Sequence, residues 1–171
     1  MKEAILSVKD LSVSFHMYDG GLEQYDLKVI SNLTLDVRPG EIVAIAGSSG
    51  SGKSLFAHAV MGLLPENAVM TGEVFYKGKV LSQKDKEALR GTEMALGPQS
   101  VSYLDPLMTI GAQVRGTKPN RQIIKAQKEI FKRLHLKEET ERLYPFQLSG
   151  GMARRVLVAT AVLSGAQLII A

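Results

Sequence analysis

Val8, Leu11, Val13 and Phe15 alternate with polar residues, with one slip at Asp10, and the pattern predicts a strand with a bend. Asp19-Gly20-Gly21 marks a turn. Leu33, Leu35 and Val37 alternate with Thr34, Asp36 and Arg38, as in a strand with one covered face, and Pro39-Gly40 then turns the chain. Ile42 to Ala46 is a continuous apolar run, expected of a strand covered on both faces. After a Gly/Ser loop, Leu55 to Leu64 reads as a helix closed by Gly62 and Pro65. Glu73 to Val80 predicts a hairpin around Lys77-Gly78.

Beyond Leu81 the pattern changes. Lys84 to Arg90 is charged and helical, and Met94 to Leu96 is a short apolar strand. Ile123, Ile124, Ile130, Phe131 and Leu134 recur at helical spacing within a basic segment. From Arg115 to Arg142 there are nine Lys/Arg and four Glu, so the outer face of that segment is solvated. Met152 to Leu163 predicts another helix, and Gln167 to Ala171 begins a buried strand.

Composition adds exclusions. The chain has 171 residues, 45% hydrophobic and 22% charged, which fits a globular domain and not a disordered or collagen-like chain. It contains no cysteine, which excludes a disulfide framework, a thiolate metal site and a cysteine nucleophile within these residues. No run approaches the ~18–20 apolar residues of a membrane span, and Met1 to Asp10 has no signal-peptide core. The expected location is therefore outside the bilayer, on the cytosolic side. The formal net charge of +4 is mild support for an anionic partner and does not choose among nucleotide, nucleic acid and membrane surface.

One segment carries specific chemistry. Gly47-Ser48-Ser49-Gly50-Ser51-Gly52-Lys53-Ser54 fits G-x-x-x-x-G-K-[ST] at every fixed position, between a predicted strand and a predicted helix. Glycines let backbone N–H groups curl around phosphates without Cβ clashes. The helix beginning near Lys53 points its positive end at the same place. Lys53 adds a full charge toward the β- and γ-phosphates, and the Ser54 hydroxyl is of the type that ligates Mg²⁺.

A second motif, Leu148-Ser149-Gly150-Gly151-Met152, opens the last helix. Alone, it is an ordinary serine N-cap followed by two glycines. Beside a phosphate loop it is a second anion site, which one nucleotide on one chain does not need. Two chains packed head to tail would use both.

At this point the chain resembles the ATP-binding subunits of ABC transporters. The match is GSSGSGKS at Gly47–Ser54, PQS around Gln99 and LSGGM at Leu148–Met152, in the family's order and spacing. The resemblance implies an α/β fold: a P-loop NTPase of the ABC nucleotide-binding type, with a mostly parallel sheet, an N-terminal antiparallel β piece and a helical subdomain. It implies a β and phosphate-loop core over residues 1–89, a helical subdomain over 90–165 and the start of a further core strand over 166–171. It implies ATP and Mg²⁺ as cofactors. Phe15 takes the place of the aromatic that stacks on adenine, with Tyr18 as its rival and an inward-packed core aromatic as the alternative for Phe15. Gln99 takes the place of the glutamine that touches Mg²⁺ and the attacking water. Leu148 to Met152 would close over a partner's ATP.

Within the family, Leu89-Arg90-Gly91, the segment Ser100 to Met108 and Tyr144-Pro-Phe-Gln-Leu-Ser149 look most like the peptide and nickel importer group. That implies a second ATPase subunit, identical or not, two transmembrane permease subunits and an extracytoplasmic substrate-binding protein. The location implied is peripheral, on the cytoplasmic face of the membrane, and no nucleic-acid partner is expected. The family pattern places an Asp-Glu pair immediately after Ala171, so the catalytic general base is expected beyond these residues. His16, His58 and His135 precede the Leu148–Met152 motif and read as surface or helix-packing histidines.

Other classes fit less well. A GTPase would carry an Asn-Lys-x-Asp guanine reader, and neither a GTPase nor a small-molecule P-loop kinase needs LSGGM. A chromosome-maintenance ATPase would insert a long coiled coil, but the stretch from Ser54 to Leu148 has no sustained heptads. A DNA-repair type with zinc modules would need cysteines. A soluble ABC ATPase acting on the ribosome or nucleic acid is the alternative reading.

Overall fold

A computed structural model of the chain describes residues 3–19, 24–97, 100–116 and 119–171. They form two compact units, Met1–Arg90 and Gly91–Ala171.

The first unit is built on a four-stranded antiparallel sheet in the order β2-β1-β3-β4. Its strands are β1 (Leu6–Tyr18), β2 (Gln24–Val37), β3 (Ala68–Tyr76) and β4 (Lys79–Val80). β1 is central, and its Val8, Leu11 and Val13 are fully buried, as the alternation predicts. The slip at Asp10 is a real irregularity. Its φ is +48°, and the register with β2 shifts between Val8 and Leu11. Thr34 on β2 accepts the Asp10 amide at 3.0 Å, so the backbone group displaced from the ladder is satisfied. Leu33, Leu35 and Val37 are half-buried while Thr34, Asp36 and Arg38 are exposed. Lys77 and Gly78, at φ +49° and +79°, make the β3–β4 turn, both in the left-handed region that a two-residue hairpin loop requires.

Two helices complete this unit. The first, α1 (Lys53–Met61), ends at Gly62 in the left-handed conformation, as its sequence signals predict. The second, α2 (Gln83–Leu89), opens with a capping box in which the Ser82 hydroxyl accepts the Asp85 amide and the Asp85 carboxylate accepts the Ser82 amide.

One expectation fails here. Ile42 to Ala46 is not a strand, and Ile42 is 97% exposed. An apolar run becomes a strand only where neighbours take up its N–H and C=O groups. Within the first unit none of the four strands pairs with it. Hydropathy reports the demand for burial and does not supply the partner.

In the second unit β5 (Met94–Leu96) pairs in parallel with β6 (Leu168–Ile170). This pair is the parallel part of the described structure, which is smaller than the antiparallel piece. Leu168 is buried and Ile169 is 42% exposed, so the last apolar run is covered on one side only. Three helices, α3 (Ile110–Arg115), α4 (Arg121–Arg133) and α5 (Gly150–Leu163), pack around Ile110, Val114, Phe131, Val156 and Leu157. The outer residues of α4 are charged and exposed, as its periodicity predicts.

Candidate nucleotide-binding site

The loop from Gly47 to Ser54 leads into the first turn of α1. Its glycines have specific reasons. Gly50 and Gly52 lie at φ +80° and +89°, where a side chain is strained. A Cβ on Gly52 would come within 3.2 Å of Val29 and Ile30 on β2, and one on Gly47 would meet the Ser51 hydroxyl at 2.5 Å. The loop thus curls tightly against β2, a contact with no signature in the spacing of the motif.

Lys53 lies inside this curl. Its ammonium donates to the carbonyls of Gly47 at 2.9 Å and Ser48 at 2.6 Å, with the Ser51 hydroxyl at 3.4 Å. The charge is therefore held at the mouth of the loop by backbone oxygens. α1 has no acidic residue in its first turn, and its N-cap, Gly52, makes no side-chain cap. Its leading amides and positive dipole end are not neutralised by the helix's own side chains. A cleft of about 230 Å³ opens beside Ser51, Gly52 and Lys53, with Val29, Ile30 and Phe56 on its apolar walls. These donors fit a polyphosphate: backbone N–H groups, one ammonium, and the exposed Ser54 hydroxyl as a hard oxygen of the kind Mg²⁺ takes.

In the second unit Ser149 is the N-cap of α5, its Oγ accepting the Met152 amide at 3.3 Å. Leu148 and Met152 pack on the buried cluster, so both ends of the motif are anchored. Gly150 and Gly151 are exposed, and a Cβ on either would meet nothing within 4 Å. Arg155, one turn into the helix, donates to the Gly151 carbonyl at 3.2 Å and to the carbonyls of Leu134 and His135 at 3.1 and 3.0 Å. The result is an anchored helix start that presents a hydroxyl and two glycines open to solvent.

The ABC transporter family profile matches residues 30–171. The chain belongs to the ABC transporter family. The dipeptide transport ATP-binding protein DppD of Lactococcus lactis is 35% identical over 184 residues, covering 99% of this chain and 51% of that protein. The oligopeptide transport ATP-binding protein OppD of Escherichia coli is 33% identical over 181 residues, covering 99% and 52%. The chain spans about half the length of these relatives. Among solved structures, the dimeric ATP-binding cassette MJ0796, in a post-hydrolysis state bound to ADP and Pi, superposes with a TM-score of 0.79 at 26% identity, over 96% of this chain and 72% of that one.

The remaining expected residues of this ABC-family chain are placed less completely. Phe15 is half-buried near the end of β1, opposite Leu27 and Ala68, and precedes the span that the family profile matches. Tyr18 ends β1 and is 67% exposed. Gln99 lies outside the described residues. Of the histidines, His16 pairs with Asp26 across β1 and β2 at 2.5 Å, on the surface. His58 is in α1, and His135 is an exposed residue at φ +53° after α4.

Proposed function

We propose that the protein is the ATP-binding subunit of an importer for peptides, and that the complete protein hydrolyses ATP to drive uptake. The observation that carries this reading is a complete phosphate loop closed on Lys53, in a family member whose relatives are named for dipeptide and oligopeptide transport. Those names favour peptides over nickel as cargo.

In this reading the loop amides of Gly47 to Gly52 and the Lys53 ammonium hold the triphosphate, and Ser54 and Gln99 hold Mg²⁺. The metal neutralises charge on the phosphates. Phe15 stacks on adenine, with Tyr18 as the competing ring. Gln99 orients the attacking water but cannot take its proton, because an amide is not basic at neutral pH. Leu148 to Met152 close over the nucleotide of a second ATPase subunit. Residues 1–89 form the nucleotide core, 90–165 the helical subdomain and 166–171 the start of a further core strand. Two permease subunits and an extracytoplasmic binding protein complete the system, with this chain peripheral on the cytoplasmic face. Among the described residues no helix is long and apolar enough to cross a membrane.

Uptake in cells tests the proposal. A strain that lacks the gene, complemented with the wild-type gene, is expected to accumulate a labelled dipeptide or oligopeptide, and one complemented with Lys53→Ala is not. Peptide uptake that is equal in the two strains would refute it. Loss of nickel uptake alone would move the cargo from peptide to metal.

A further inference from the structure

The C-terminal end of α1 is gripped by α2. The last carbonyls of α1 lack the donors that a continuing helix would supply; the Gly62 amide reaches the Ala59 carbonyl at 3.2 Å, and the carbonyls of Met61 and Gly62 take donors from further along the chain. α2 and the residue after it supply them with three side chains. Lys86 Nζ donates to the Ala59 carbonyl at 2.8 Å. Arg90 Nε donates to the Met61 carbonyl and its Nη2 to the Gly62 carbonyl, both at 2.9 Å. Gln83 Nε2 donates to the same Gly62 oxygen at 2.9 Å.

Burial shows how tight this grip is. Lys86 is only 3% exposed, unusual for a lysine, and desolvation, with the Arg90 charge nearby, lowers its pKa. A Cβ on Gly62 would come within 2.8 Å of the Gln83 side chain and 3.0 Å of that of Lys86. Together with its φ of +67°, this crowding against Lys86 favours glycine at the helix end. Two cations at a helix C-terminus also suit the negative end of its dipole.

The other end of α1 is the phosphate loop. We propose that Gln83, Lys86 and Arg90 are positioning residues for nucleotide binding, a clamp on the C-terminal carbonyls of α1 that fixes where its N-terminus and the phosphate loop sit. The inference rests on the nucleotide reading of that loop. The lever is short: nine residues make a helix about 13–14 Å long. A tilt of about 5° about the clamped end moves the leading amides by about 1 Å, enough to misalign donors with phosphate oxygens. Arg90 reaches two successive carbonyls with a planar fork, a geometry lysine does not reproduce.

The test is titration of purified protein with a fluorescent ATP analogue and Mg²⁺, together with amide hydrogen exchange of residues 47–55, at a temperature where each variant is fully folded. Arg90→Met is expected to weaken binding about tenfold and to speed exchange in that segment, while β1 keeps its protection. Gln83→Met, which removes one neutral donor from the edge of the clamp, is the second variant, with a smaller change in the same direction. A role in stability alone would leave the folded protein's affinity and the loop's exchange unchanged. A folded Arg90→Met or Gln83→Met protein that binds as wild type does, or whose loop exchanges no faster, would overturn the clamp and leave the nucleotide reading standing. A wild type that does not bind the analogue would overturn the nucleotide reading and the clamp with it.

Discussion

Ser149 Oγ accepts the amide of Met152 at 3.3 Å, so the exposed serine of the Leu148–Met152 motif caps α5 at the place where the proposed function puts a partner's nucleotide. The two roles separate by substitution. Ser149→Ala removes the cap and is expected to lower stability by about 1 kcal/mol. Ser149→Arg fills the open space above Gly150 and Gly151. In the complete protein it should leave the affinity of a single subunit for ATP unchanged and block ATP-dependent dimerisation. Sedimentation with a hydrolysis-resistant analogue reads this directly, and an arginine variant that dimerises normally would count against a role on a partner's nucleotide.

Gly72 answers the irregularity at Asp10. It lies at φ +88°, and a Cβ there would stand 2.5 Å from the Asp10 carbonyl oxygen and 2.6 Å from that of Lys9. Both obstacles are backbone in the central strand. Gly72→Ala is expected to destabilise the protein by about 2 kcal/mol or more, combining left-handed strain with overlap. Gly40, at φ +80° with nothing within 4 Å, provides the comparison. Gly40→Ala should cost about 1 kcal/mol, the strain alone. Equal losses in chemical denaturation would show that the overlap relaxes freely.

Asp85 links the hairpin to α2. The Lys79 ammonium at 2.6 Å, then the Ser82 hydroxyl and amide, hold its carboxyl well below the usual carboxylate range. A depressed carboxylate pKa contributes stability that is present above the unfolded value of 3.8 and is lost as pH falls through the folded value. Melting temperatures of wild type and Asp85→Asn should therefore differ most near neutral pH and converge below pH 3.8. A gap that stays constant into acid would exclude this carboxylate as its source.

The two glycine-rich motifs, the Asp10 bend, the Lys77-Gly78 turn and the α1 stop at Gly62 are all legible in the sequence, because each depends on residues close together in the chain. Three features are not. The failure of Ile42 to Ala46 to pair depends on which edges are available, and that is set by topology. The contact of Gly52 with Val29 and Ile30 joins residues from separate elements. The clamp on α1 joins Lys86 to a carbonyl 27 residues earlier. In sequence, Lys84 to Arg90 is simply a charged helix, and a carbonyl acceptor has no residue code. Phe15 and Tyr18 stay a pair of candidates for a related reason: strand periodicity says which side a ring faces and not what it meets there.

In the proposed function the Gly47–Ser54 loop binds a nucleoside triphosphate through Lys53. Lys53→Ala removes the ammonium now shared by the Gly47 and Ser48 carbonyls. A charge-assisted hydrogen bond is worth roughly 1.5–3 kcal/mol, which corresponds to about ten- to hundredfold in affinity. Titration of a fluorescent ATP analogue with Mg²⁺ into folded wild type and Lys53→Ala measures that difference. Saturable binding by wild type, weakened by at least about tenfold in the variant, is the predicted result. Equal affinities in two folded proteins would contradict the assignment of the phosphate loop.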